Sequence, residues 1–156
     1  VISDPTFLEA LANVEKKFQQ LISMKPLDRN NLPKGKQKGV YLFSEGDAFF
    51  YVGRTQNIRQ RLRNHCSPSS EHNQAVFAFK LARHATGNVV ASYSGAGMRK
   101  QLVQDPVFNE VFKSSKLRVS EMDFRFVEEE DQLQQTLLEI YAASVLKTPF
   151  NDFETH

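Results

Sequence analysis

Residues 39–65 read GVYLFSEGDAFFYVGRTQNIRQRLRNH, and this stretch decides the fold. Two short apolar runs, Gly39-Val40-Tyr41-Leu42-Phe43 and Phe49-Phe50-Tyr51-Val52-Gly53, each carry a tyrosine. Ser44-Glu45-Gly46-Asp47 between them is turn chemistry, so the pair predicts a β-hairpin. Asn57 then stands where a helix cap belongs, ahead of a basic segment with Ile58, Arg59, Arg61, Leu62, Arg63 and His65. Arg61 and His65 are four apart and share one helix face. Two tyrosines, an arginine and a histidine are therefore expected to converge on one small surface.

Upstream, Asp4-Pro5 is a helix start, with Asp4 as N-cap and Pro5 at the first helical position. Phe7, Leu11, Val14, Phe18 and Leu21 recur at helical spacing and predict an amphipathic helix to about Met24. Such a helix packs on the domain or serves as a docking or dimerisation element. Pro26, Asn30, Asn31, Pro33 and Gly35 mark a connector. Lys34, Lys36 and Lys38 alternate through its end, as solvated loop residues or as phosphate contacts.

Downstream, Cys66 to Ser70 reads as a loop and Gln74 to Ala85 as a helix ended by Gly87. Val89 to Tyr93 is a short strand or extended segment. Ser94-Gly95-Ala96-Gly97 is a turn that could offer backbone N–H groups to a phosphate. Two short helices are expected at Met98–Gln104 and Pro106–Ser115. Val119 to Val127 is rich in strand formers and predicts a strand. Asp131 caps a long helix to about Lys147, with Leu133, Leu137, Ile140, Tyr141, Ser144 and Val145 as its apolar stripe and Glu139 off it. Thr148-Pro149 ends it.

The 156 residues fit one domain, and an apolar fraction of 40% with 13 phenylalanines supports a core. No run of eighteen apolar residues occurs, which excludes a helical membrane span. No signal-peptide pattern opens the chain, which begins at Val1 as a fragment or processed chain does. The single cysteine, Cys66, excludes an internal disulfide and a thiolate zinc cluster, and fits a reducing, cytoplasmic location. His72, His84 and His156 lack metal-ligand spacing and read as surface residues.

The net charge is only +2, but it is unevenly spread. Lys25 to His65 holds nine Lys/Arg against three acids, whereas Phe126 to His156 holds seven acids against Lys147. A basic half suits a polyanion and an acidic tail suits a cation.

Gly39-Val40-Tyr41, Tyr51-Val52-Gly53, Arg61, His65, Glu139 and Asn151, in this order, resemble the GIY-YIG nuclease family. Valine replaces the usual isoleucine in both triplets. The resemblance covers the hairpin, the basic helix, the third strand and the last helix. It leaves residues 1–36 as an N-terminal helical extension and 66–117 as an insertion. It implies an α+β domain, a small mixed sheet flanked by helices, and metal-assisted phosphodiester hydrolysis on DNA.

Under that resemblance the residue types match the chemistry. Hydrolysis needs activated water, neutralised charge and a stabilised leaving oxygen. Glu139 is the expected ligand of Mg²⁺ (or Mn²⁺), an ion that keeps waters and takes one or two carboxylates. Arg61 would present a fork of donors to phosphate. Tyr41 is the candidate general base, its ordinary pKa of about 10 lowered by nearby cations. Tyr51 would position water or phosphate, His65 would hydrogen-bond substrate or move a proton, and Asn151 would brace the site. Lys34, Lys36, Lys38, Arg54, Arg59 and Arg63 would meet the DNA backbone. The alternative is a nucleic-acid-binding or partner-docking module that does not cleave.

Overall fold

A computed structural model of the chain describes residues 1–88 and 98–153. The strand or extended segment expected at Val89–Tyr93, the turn at Ser94–Gly97 and His156 lie outside the described residues. The chain is α+β, with helices α1 (Pro5–Ser23), α2 (Ile58–Cys66), α3 (Val76–Ala85), α4 (Arg99–Gln104), α5 (Pro106–Glu121) and α6 (Gln132–Leu146). Its strands are β1 (Gly39–Glu45), β2 (Ala48–Thr55) and β3 (Asp123–Glu128). Among the described residues no helix is long and apolar enough to cross a membrane.

The expected hairpin forms, and its turn is Gly46-Asp47. Gly46 sits at φ +57°, the positive value a two-residue hairpin turn requires. The register slips between Phe43 and Ser44, so β2 carries a bulge at its start. The sheet order is β2-β1-β3 and both pairings are antiparallel. Where a mixed sheet was expected, the pairings among the described residues are all antiparallel: the third strand arrives by a long excursion, yet runs against β1.

The chain divides into two compact units, residues 1–59 with 123–151, and residues 60–122 with 152–156. The first holds the sheet, α1 and α6. Val40, Leu42, Val52 and Val127 form one core with Val14, Phe18 and Leu21 of α1 and Leu138, Ala142 and Ala143 of α6. Phe18 meets the Tyr141 ring edge-on at 5.0 Å. Burying each large apolar side chain stabilises the fold by about 1.5–3 kcal/mol, which secures α1 as a packed element of this unit. Asp4 caps it by accepting from the Phe7 N–H, and Asp131 caps α6 through Gln134.

The apolar stripe expected on α6 holds in part. Leu137 and Tyr141 pack against the core, whereas Leu133, Ile140 and Val145 are exposed and the buried positions are Gln135, Leu138, Ala142 and Ala143. Alanines allow close approach to the sheet, and Gln135 enters the interior because its amide donates to the Glu129 carbonyl at 2.7 Å.

The second unit is built on α3 and α5, with Phe79 against Phe108 at 5.3 Å and edge-on to Phe112 at 5.7 Å. Here α5 runs on to Glu121, so Val119 to Glu121, expected in a strand, are helical. Cys66 likewise closes α2 and does not open a loop.

Candidate active site

In the first unit, β1 and β2 set Tyr41 directly opposite Gly53 and Phe43 opposite Tyr51. Directly paired residues share a face, so Tyr41, Phe43, Tyr51 and Gly53 lie on one side of the hairpin. Val40, Leu42, Val52 and Arg54 lie on the other. Tyr41 is buried, stacked on Phe124 at 5.9 Å and 6.3 Å from the Tyr51 ring.

The glycines of the two triplets have distinct steric reasons. A Cβ on Gly53 would stand 2.3 Å from the Tyr41 hydroxyl oxygen and 2.4 Å from Cζ. The phenol of Tyr41 therefore lies across the bare backbone of Gly53. A Cβ on Gly39 would stand 2.0 Å from the Val127 carbonyl oxygen, so β1 begins in contact with the backbone of β3.

Asn151 clamps the outer edge of β2. Its Oδ1 accepts the Val52 N–H at 2.9 Å, and its Nδ2 donates to the Val52 carbonyl at 2.7 Å. The Thr148 hydroxyl donates to the same Oδ1 at 2.8 Å, fixing the amide orientation. The side chain mimics a neighbouring strand at the residue between Tyr51 and Gly53. Asn151→Ala leaves both Val52 groups without this partner. A loss of about 1–3 kcal/mol is expected in urea unfolding. A midpoint equal to wild type would contradict the clamp.

Glu139 is half-buried on α6 and pairs with Arg54, Oε2 to Nε 3.1 Å. Arg54 also donates to the Thr136 hydroxyl at 2.9 Å. Arg54 thus reaches Glu139 from the face of β2 opposite the tyrosines. The two tyrosines thus share one face of the hairpin, and the Glu139 carboxylate meets Arg54 on the other. Among the described residues there is no group of three or more His, Cys, Asp or Glu suited to a metal ion. A lone carboxylate does not cage a transition metal, but it fits Mg²⁺, which retains its waters.

In the second unit, α2 carries Arg61 and His65. His65 is fully buried. Burial first, and the Arg61 charge second, push its pKa down to about 3. A proton carrier works best with a pKa near the working pH, so a depressed value favours the hydrogen-bonding role over the proton-transfer one. Its neutral imidazole can still hydrogen-bond. Folded His65 binds a proton only below about pH 3, whereas its ordinary value is 6.5. Between these values the unfolded chain binds more protons, so acid favours unfolding. This group should remove about 1.4 kcal/mol of stability per pH unit below 6. Urea unfolding at pH 7, 5 and 4 should show a shallower loss in His65→Gln than in wild type. Identical slopes would contradict the assignment.

Lys34, Lys36 and Arg63 are exposed. Lys38 pairs with Glu130 at 3.7 Å, and Lys17 with Glu129 at 3.8 Å. Arg59 Nη1 lies 3.4 Å from the Leu32 carbonyl oxygen. Part of the basic and acidic segments is thus spent on structural pairing. Sequence reasoning passed over Thr148, which it read only as a helix stop. Its place three residues before Asn151 was the available signal.

A family model described as GIY-YIG catalytic domain matches residues 37–137. No curated protein and no solved structure matches the chain. The matched span begins just before β1 and ends within α6, so it takes in both triplets, Arg61 and His65, and stops two residues before Glu139.

Proposed function

The chain belongs to the GIY-YIG family of nucleases, and from that premise we propose that it is a divalent-metal-dependent endonuclease that hydrolyses phosphodiester bonds in DNA. One observation carries the reading: the phenol of Tyr41 is seated on Gly53, directly across the hairpin, in a span that matches the catalytic domain. A packing role alone does not call for a tyrosine hydroxyl held over a glycine, since phenylalanine would fill the same ring volume.

The roles follow from the groups available. Glu139 would hold Mg²⁺, which when bound neutralises charge developing on the phosphate. Binding would exchange the Arg54 cation at Glu139 for the metal. Arg54, at the end of β2, would then be available to a phosphate oxygen. Tyr41 is the group we assign as general base, with Tyr51 on the same face orienting the attacking water. Arg61 would bind the phosphate as a bidentate fork. His65, held neutral, would serve as a hydrogen-bonding brace in α2. Asn151 keeps β2 in place. Lys34, Lys36, Lys38, Arg59 and Arg63 would contact the backbone without choosing sequence. A single cysteine, Cys66, leaves no internal disulfide to form, which agrees with a reducing compartment such as the cytoplasm.

Incubation with linear, nicked and branched DNA in Mg²⁺ tests this reading. Cleaved products from at least one substrate are expected. Retarded but intact DNA across the whole panel would favour a binding module that does not cut.

A further inference from the structure

The second unit contains a cavity of about 390 Å³ that the nuclease chemistry does not use. It is walled by the segment after α2, by α4 and by α5, with Ser70, His72, Lys100, Gln104, Asn109 and Lys116 among its lining. Its volume lies within the range of small-molecule sites and exceeds what a phosphate alone requires.

Lys116 is the telling residue. It is 6% exposed, although lysine is seldom buried without a counter-charge. Its ammonium donates to the Pro68 carbonyl at 2.6 Å and the Ser70 carbonyl at 2.9 Å, and stands 4.6 Å from the Phe112 ring centre. An ammonium has three N–H donors, and these bonds occupy two. Among the described residues no carboxylate pairs with it. Burial and the nearby Lys113 charge lower its pKa. The charge is therefore held at the cavity wall by neutral oxygens and a ring face.

The surroundings reinforce the positive character. Lys100 is exposed on the wall, and Glu71 is the carboxylate among the described lining residues. Arg99 donates to the His72 carbonyl at 3.2 Å and lies 4.9 Å from the Phe79 ring centre. Lys113, near Lys116, is paired with Glu110 at 2.9 Å. The Nδ1 atom of His72 is shielded from solvent and finds no hydrogen-bond partner among the described residues. An anion with hydrogen-bonding oxygens would offset the buried charge and supply the missing partner.

We propose that this cavity binds one nucleotide, with Lys116 and Lys100 holding its phosphate and Val103 and Phe112 supplying the apolar wall for the rest. The phosphate comes either from a polynucleotide chain or from a free nucleotide. The polynucleotide source rests on the nuclease reading, whereas anion binding stands on the cavity alone.

The test uses the full ¹⁵N-labelled chain in EDTA, with amide shifts followed during titration. The probes are a deoxynucleoside 5′-monophosphate, the same nucleoside without phosphate, and a single-stranded oligonucleotide without terminal phosphates. The monophosphate or the oligonucleotide is expected to move amides at 70–72, 100–104 and 109–116, while the nucleoside leaves them in place. The oligonucleotide moving them identifies a chain phosphate, and the monophosphate alone moving them identifies a free nucleotide. Lys100→Glu, at an exposed position, should keep the fold and weaken binding at least tenfold. Lys116→Met should abolish it if that variant folds. Neither probe moving those amides, or Lys100→Glu binding as tightly as wild type, would overturn the proposal. A monophosphate that leaves the cavity amides in place, with an oligonucleotide that moves only amides of β1, β2 and α6, would overturn it and leave the nuclease reading standing.

Discussion

Replacing Glu139 by alanine is expected to lower DNA cleavage by about 10²–10³-fold while leaving the protein folded. The side chain is only partly buried, and its pairing with Arg54, itself nearly half exposed, is worth at most about 1 kcal/mol. Alanine also suits the middle of a helix. Stability and activity should therefore separate: an unchanged urea midpoint, but a cleavage rate two to three decades lower at saturating Mg²⁺. Glu139→Gln keeps size and hydrogen bonding and removes the charge, so a similar loss of rate would locate the effect in the charge. Normal cutting by Glu139→Ala would sink its assignment as the metal-holding residue.

Gly53→Ala should damage both fold and function. The added methyl would stand 2.3 Å from the Tyr41 hydroxyl oxygen, inside any tolerable contact. Either the Tyr41 ring moves or β2 does, and overpacking of this kind costs about 1–3 kcal/mol. A displacement of about 1 Å at a catalytic group is enough to cost about 10² in rate. Tyr41→Leu supplies the control. In that background the Gly53→Ala substitution meets no phenol, so most of its stability cost should vanish in a double-mutant cycle. An undiminished cost in the Tyr41→Leu background would show that Gly53 is needed for its own backbone and not for the tyrosine.

The hairpin was legible because turn residues and two tyrosine-bearing apolar runs agree on one local structure. The helix starts at Pro5 and Gln132 were legible because Asp4 and Asp131 announce them through their side chains. Strand direction was not: nothing local in Asp123–Glu128 records how it pairs with β1. The inward face of α6 was read only in part, through Leu137 and Tyr141, for a physical reason. Leu133, Ile140 and Val145 dominate any hydrophobic pattern, but close packing on the sheet selected the smaller Ala142 and Ala143, with Gln135 accepted through its hydrogen bond. The burial of His65 was equally hidden, since a histidine flanked by Arg61, Arg63 and Asn64 reads as surface. The candidate site residues stood out as a pattern, whereas the Asn151 clamp and the Arg54–Glu139 pair depend on long-range contacts that a pattern does not contain.

The central claim is metal-dependent cleavage of DNA by this chain, and a single add-back measurement tests it. Wild-type protein is incubated with one DNA substrate in Mg²⁺, then in excess EDTA, then with Mg²⁺ restored. Cleavage is predicted to proceed, stop and resume. Cutting that continues unchanged in EDTA would contradict the metal, and DNA bound but intact through all three stages would contradict the enzyme.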